Sequence, residues 1–348
     1  MTRVSRLLAT GTMVGLSLVV AACKGPGASV APGGFAPLSP GGTPHAQYVV
    51  VGDIGNHSLL TYNLGTSSAL STGNLSPAYN NHSATISRPF FIFNDFQSNL
   101  WAANFGNASV TWYAVNATGG TPVYHTLSGP ATTFACPTGI YISQNGTIYV
   151  ADTCATKIDI FAPNPSKANT APSAWISGSN TTLGCPQGLS LDSQGNIWVA
   201  DCSNASAVPV IDEFAPVALG SGANNIAPKA VITSAALSVP LELYIDFQNH
   251  LWIGDNGIPG VVEFTMTGGS QTPLCQISGS NTGFGSGQIT AAVDNGGYVY
   301  IVSNNLPQID IFRPGHCGNI APDFTISGGA TGMSEPSAVL VYSTSTDY

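Results

Sequence analysis

Charge is what this sequence has least of: 8 lysines and arginines, 17 acids, and only 7% charged residues in a chain of 348. So few cations cannot neutralise a row of phosphates, so nucleic acid is not an expected partner. No apolar run reaches the roughly 20 residues of a membrane-spanning helix. A 3.6-residue period is missing as well, which argues against helical bundles and helical repeats. The cysteines form no C-x-x-C pair and no Cys/His ligand spacing, so zinc thiolates and haem attachment are not expected either. Glycine (40) and proline (24) are abundant instead, and short β-branched and aromatic runs alternate with polar residues. That is the composition of an all-β chain with many turns.

Arg3 and Arg6 precede an apolar or small run from Leu7 to Ala22, and Cys23 follows at once. Residues 1–22 therefore read as an export signal. The tetrad Val20-Ala21-Ala22-Cys23 resembles the lipobox of bacterial lipoproteins, which implies cleavage before Cys23 and acyl chains on its thiol. Two or more chains anchor stably, at about 0.8 kcal/mol per buried methylene. The membrane is thus an expected partner through Cys23. Lys24, where an aspartate would signal inner-membrane retention, favours the outer membrane or cell surface by the same resemblance. Residues 23–47, rich in Pro, Gly, Ala and Ser, read as a tether that stretches to roughly 80 Å at most. Losing Arg3 and Arg6 leaves 6 basic against 17 acidic residues, a balance of −11.

From residue 48 onward the chain repeats. GIYISQNGTIYVAD (Gly139 to Asp152) returns as GLSLDSQGNIWVAD (Gly188 to Asp201), with looser copies ending at Asn104, Asp255 and Ser303. A second marker, an ISG-like element beginning at Leu127, Ile176, Ile232, Ile277 and Ile326, keeps the same beat with steps of 49, 56, 45 and 49. Such a period signals a repeat architecture. In one unit the alternation gives strand a (Ile140 to Ser143), strand b (Ile148 to Ala151), strand c (Lys157 to Phe161) and strand d (Ala174 to Ser177), with Asn145-Gly146 at the a–b hairpin. Four antiparallel strands repeated radially make a propeller blade. Tyr48 to Leu64 supplies strands b and c without an a, and Pro336 to Ser343 supplies an a without its b. Together they complete a sixth blade, so residues 48–348 are expected to form a six-bladed β-propeller whose first blade is closed by the C-terminal strand. Closure removes exposed strand edges.

The core G-hydrophobic-…-D-x-x-G-x-I/L-x-V-x-D of Gly188 to Asp201 resembles the NHL-repeat propellers, over roughly Tyr48 to Tyr348. The Asn and Arg usual after the last Asp are missing, since Asp152 is followed by TCATKIDIF.

Six cysteines remain once Cys23 carries lipid, an even number for an oxidising compartment. Cys136 and Cys185 both precede a Pro-x-Gly entering strand a, and Cys154 and Cys202 both follow the last Asp of strand b. Equivalent places imply equivalent bonds, Cys136 with Cys154 and Cys185 with Cys202. Cys275 and Cys317, near c–d turns of neighbouring blades, form the third expected pair.

The residues closing strand b, namely Asp53, Asn104, Asp152, Asp201, Asp255 and Ser303, share one face by the repeat alignment. They could offer oxygens to a hard cation such as calcium, although no cofactor is expected. Because they recur in every unit, their simpler role is to cap their own b–c turns. Two repeat-breaking charges near the channel, Arg88 before Pro89 and Glu242 after Pro240, are the other candidate ligand residues. No two histidines stand at catalytic or metal spacing. Trp101, Trp198 and Trp252, with Tyr149 and Tyr300 in the same place, mark the core between blades.

No catalytic set emerges from these residues. The expected function is that of a lipid-anchored envelope propeller acting as a non-enzymatic binding or scaffold module for protein or glycan. The alternative is a metal-dependent lactonase- or lyase-type enzyme working at the channel mouth, for which Glu242 is the one fitting acid.

Overall fold

In the computed structural model, which describes residues 48–65, 73–120 and 124–342, each sequence period folds as one antiparallel sheet. Residues 1–47, with the signal, Cys23 and the tether, lie outside the described residues. The second blade has strands a to d at Pro89–Asn94, Asn99–Asn104, Ser109–Ala114 and His125–Leu127. The third has Pro137–Ile142, Ile148–Asp152, Lys157–Phe161 and Ala174–Ile176. The fourth has Pro186–Leu191, Ile197–Asp201, Val210–Phe214 and Ala230–Thr233. Pro240–Ile245, His250–Asp255, Gly260–Thr265 and Cys275–Ser278 form the fifth, and Ile289–Val293, Val299–Ser303, Leu306–Phe312 and Phe324–Ser327 the sixth.

The first blade is composite. Its strands b, c and d are Tyr48–Asp53, Ser58–Asn63 and Tyr79–Asn81, and its strand a is the C-terminal Pro336–Tyr342. Neighbouring a strands touch all the way round, so the ring closes into a six-bladed β-propeller. Asp53 fastens the closure, since its carboxylate accepts the backbone N–H of Ser334 (2.6 Å) and of Glu335 (3.2 Å) across the whole sequence.

The a–b hairpin explains the D-x-x-G-x-I/L-W pattern. Asp95, Asp192 and Asp246 close strand a, and in each case one carboxylate oxygen accepts two hairpin amides while the other accepts the indole N–H of the strand-b tryptophan. A charged group that satisfies three donors fixes both the turn and the rotamer of the largest core side chain. Trp101, Trp198 and Trp252 are accordingly buried. Blade faces pack through Val, Ile, Leu and Phe of strands b and c, in clusters that run from one blade into the next.

A second layer of pairing runs around the rim. The c–d loop of one blade lies parallel to strand d of the blade before it, as at Gly222–Asn224 beside Ala174–Ile176 and Gly269–Ser270 beside Ile232–Thr233. Single bridges at Gly73–Ile326, Asn81–Gly119 and Ile277–Gly318 continue the scheme. The outermost strands, which would otherwise offer unpaired backbone to other chains, are thereby covered. At four seams an asparagine locks this contact: Asn169, Asn225, Asn319 and Asn74 accept the backbone N–H of Ala131, Asn180, Asn281 and Ala330 in the preceding blade. Three disulfides, Cys136–Cys154, Cys185–Cys202 and Cys275–Cys317, add to the framework. The first two each staple one blade, and the third joins strand d of the fifth blade to the c–d loop of the sixth.

Candidate functional site

The acids that close strand b are consumed by the fold. Asp152 accepts the amides of Ala135 and Cys136 (both 2.7 Å), and Asp201 those of Gly184 (3.0 Å) and Cys185 (2.7 Å). Asp255 takes Ser238 (2.8 Å) and Val239 (3.1 Å), together with Gly257 and Ile258 of its own b–c turn. Their main partner is therefore the loop that leads into strand a of the same blade, more than the b–c turn alone. Asn104 does the same for Ser87. In the sixth blade a bulge shifts the duty one residue on, to Asn304, which accepts the Gln288 amide at 3.0 Å, while Ser303 only fills the position. The set shares an alignment but does not converge on a common ion, because each oxygen pair points into its own blade's loop.

Glu242 is in the channel. Residues of all six a strands, Phe91, Phe93, Ile140, Leu189, Tyr244 and Leu340 among them, line a cavity of about 40 Å³ with the Glu242 side chain in its wall. Strand a is the inner edge of its sheet and leaves amides without a strand partner. Glu242 Oε2 accepts one of these, the N–H of Ala291 in the next blade, at 2.6 Å. Burial pushes the carboxyl well above the usual carboxylate range, and the Ala291 amide offsets part of that shift. At the matching place the other blades carry Ala338, Phe91, Gly139, Gly188 and Thr290. A Cβ on Gly139 would run into the Gln187 carbonyl, so strands a pack there backbone to backbone. The cavity holds at most a water or two and is far below the roughly 300 Å³ at which ligand pockets begin. Its lining has one carboxyl and no histidine, which is not a metal-binding set. Arg88, the other repeat-breaking charge, stays outside the channel: it is exposed, with its guanidinium 5.3 Å from the centre of the Phe105 ring.

A different place does break the repeat. Between the fourth and fifth blades the loop from strand d to strand a has only six residues, Ser234 to Val239, and the c–d loop that faces it contains no asparagine. This seam holds an open groove of about 510 Å³ lined by Ser234, Ala236, Ile258, Gln271, Thr272, Pro273 and Gln276; the seam between the first and second blades also lacks the asparagine lock but keeps the Asn81–Gly119 bridge. The step of 45 residues between Ile232 and Ile277, the shortest in the chain, was its trace in the sequence. Sequence reasoning also missed a cluster on the hairpin side of the fifth blade, where Asp246, His250 and Glu263 approach one another. Their separation along the chain follows no motif: the cross-strand register sets Glu263 opposite Trp252, on the same face as His250 and diagonal to it.

Comparison with known proteins agrees with this architecture. The family model of the NHL repeat matches residues 134–160 and 183–207, the third and fourth blades. No curated protein sequence matches the chain. Among solved structures, a chain of a nidogen/laminin complex superposes with a TM-score of 0.59 at 13% identity, covering 84% of this chain and 97% of that one. A Bacteroides caccae protein of unknown function gives 0.53 at 11%, covering 85% and 98%. A provisionally assigned 6-phosphogluconolactonase from Bacteroides fragilis gives 0.54 at 13%, covering 86% and 99%. At such identities the likeness is one of fold. The chain is a six-bladed β-propeller whose third and fourth blades match the NHL repeat, and its neighbours in structure include a chain of a nidogen/laminin complex as well as a protein provisionally assigned as a 6-phosphogluconolactonase.

Proposed function

We propose that the chain is a lipid-anchored envelope propeller that binds a neutral glycan in the groove between its fourth and fifth blades. The observation that carries this reading is the groove itself: it is an open depression at a seam without the asparagine lock, and its lining is uncharged, mixing hydroxyl and amide groups with apolar side chains. Ser234, Gln271, Thr272 and Gln276 offer donors and acceptors to sugar hydroxyls, while Ala236, Pro273 and Ile258 offer apolar contact. The filled channel supports recognition at the rim, because catalysis at the channel mouth would need a second acid or a histidine beside Glu242. Anchoring rests on Arg3, Arg6, the run from Leu7 to Ala22 and the lipobox-like Val20-Ala21-Ala22-Cys23. No helix among the described residues is long and apolar enough to cross a membrane.

Two experiments test the two halves. Growth with alkyne-palmitate is expected to label the full chain and not its Cys23→Ser variant, and equal labelling would overturn the anchor. A glycan array probed with the full chain is expected to give neutral oligosaccharide hits that vanish in Ser234→Trp, which fills the groove. Hits that survive the filling, or binding to protein segments alone, contradict the glycan reading. Lactone turnover that falls in Glu242→Gln contradicts it in favour of an enzyme.

A further inference from the structure

The repeat supplies its own control for the cluster in the fifth blade. In the second and fourth blades the residue four after the hairpin aspartate is an asparagine, Asn99 or Asn196, whose amide donates into that aspartate at 2.8 and 2.7 Å. In the fifth blade the same place is His250, so Asp246 Oδ2 keeps only the Trp252 indole (3.0 Å). The residue across from the tryptophan is glutamate in both blades, but its partner differs. In the fourth blade it is Glu213, whose carboxylate is neutralised by Lys229 at 2.8 Å. In the fifth it is Glu263, and Leu274 stands where the lysine would be, with its side chain out in solvent. Deprived of a cation, Glu263 turns to His250 Nδ1 at 2.6 Å, with Asp246 Oδ2 3.9 Å from the same nitrogen.

We propose that Asp246, His250 and Glu263 form a binding site for a divalent first-row transition cation, zinc in the first instance. One imidazole nitrogen with two carboxylate oxygens is a borderline donor set. It suits zinc, whereas calcium and magnesium take oxygen alone. The three ligand atoms lie within 4.8 Å of one another. A tetrahedral ion about 2.0–2.2 Å from each ligand sets them about 3.4 Å apart, so closing the widest pair by up to about 1.4 Å and opening the His250–Glu263 pair completes the site. Asp246 is positioned in advance: two hairpin amides hold its Oδ1 and the indole holds its Oδ2 (2.9, 2.8 and 3.0 Å). This is the outer-shell support that metal ligands need. His250 is 27% exposed, so ions can enter and a fourth position stays open to water or an added ligand. The site shares no lining residue with the seam groove or the channel, and does not rest on the glycan reading.

The test is a ZnCl2 titration by calorimetry on the full chain with Cys23→Ser, so that no free thiol competes, and a Co2+ titration read by visible absorption. One equivalent of zinc is expected at micromolar affinity or tighter, unaffected by millimolar CaCl2, with the absorption bands of tetrahedral Co2+. His250→Asn, which restores the residue found in the second and fourth blades and so preserves the hairpin, is expected to weaken binding at least about tenfold. Glu263→Gln should do the same. Asn196→His combined with Lys229→Leu is expected to create a second equivalent in the fourth blade. Absence of stoichiometric zinc binding, or binding unchanged in His250→Asn with its metal-free melting point intact, would overturn the proposal.

Discussion

Asp212 gives the sharpest energetic test. Strand c carries a buried acid at one place in three blades, and in two of them the residue two positions earlier, on the same face of the strand, provides a partner. Lys157 Nζ lies 3.0 Å from Asp159 Oδ1, and Gln308 Nε2 lies 3.0 and 2.9 Å from the two oxygens of Asp310. In the fourth blade that place is Val210, and both oxygens of the fully buried Asp212 lack a hydrogen bond among the described residues. Burial, with the nearby Asp201 charge adding to it, pushes Asp212 up to about 8. The folded chain thus keeps a proton that the unfolded chain, with an ordinary aspartate, gives up from about pH 4.

The sign follows from linkage. Where the folded state binds the extra proton, stability is full below about pH 4 and falls as pH rises, levelling off above about 8. At pH 7 roughly three pH units separate the solution from the unfolded value, worth about 4 kcal/mol at 1.36 kcal/mol per unit. Asp212→Asn keeps shape and polarity and removes only the ionisation. Its stability in urea should match wild type near pH 4 and exceed it by up to about 4 kcal/mol at pH 7. The slope between pH 4 and 8 should drop by about one proton, while the slope from Asp159, raised to about 6, persists. Parallel pH profiles for the two proteins would refute the reasoning.

Three further outcomes follow from the framework. Replacing Cys275 and Cys317 by serine should cost about 4 kcal/mol in the chain-entropy relation, against about 3 for either shorter bridge, because it frees a separation of 42 residues instead of 18 or 17; reversible melting of each variant measures it. Asp53→Ala should cost about 2–4 kcal/mol and speed amide exchange in Pro336–Tyr342 and Tyr48–Asp53 more than in the third blade, and uniform exchange would argue against a terminal clasp. Asp192→Ala should cost a similar 2–4 kcal/mol, with a change in Trp198 fluorescence as the indole loses its acceptor.

Much of the fold was legible in the sequence because its signals repeat. The hairpin Asn145-Gly146, the alternation in Ile148 to Asp152, and the two incomplete ends at Tyr48 and Pro336 each imply strands, and the period joins them into blades. Strand c at Lys157–Phe161 needed no adjustment, while strand a begins earlier than Ile140, at Pro137, because Pro137 pairs with Asp152 across a bulge that local alternation does not reveal. The candidate sites were less legible. Asp152, Asp201 and Asp255 stood out as oxygen donors, but their use by loop amides depends on where the loop before strand a passes. Glu242 read as a candidate ligand residue near the channel and does line it, but among mostly apolar side chains and without a second acid or a histidine. The Asp246, His250 and Glu263 cluster escaped because two of its members lie on facing strands, and the groove escaped because it is made by residues that are missing.

The place where recognition occurs separates a rim-binding propeller from one that works at its channel. Hydrogen–deuterium exchange on the full chain, with and without the neutral oligosaccharide that binds best on the array, reads this directly. Protection confined to Ser234–Ala236 and Ser270–Gln276 is the predicted result, with strand a of the fifth blade unchanged. Protection centred on Glu242 and the channel strands, with the seam unaffected, would contradict it.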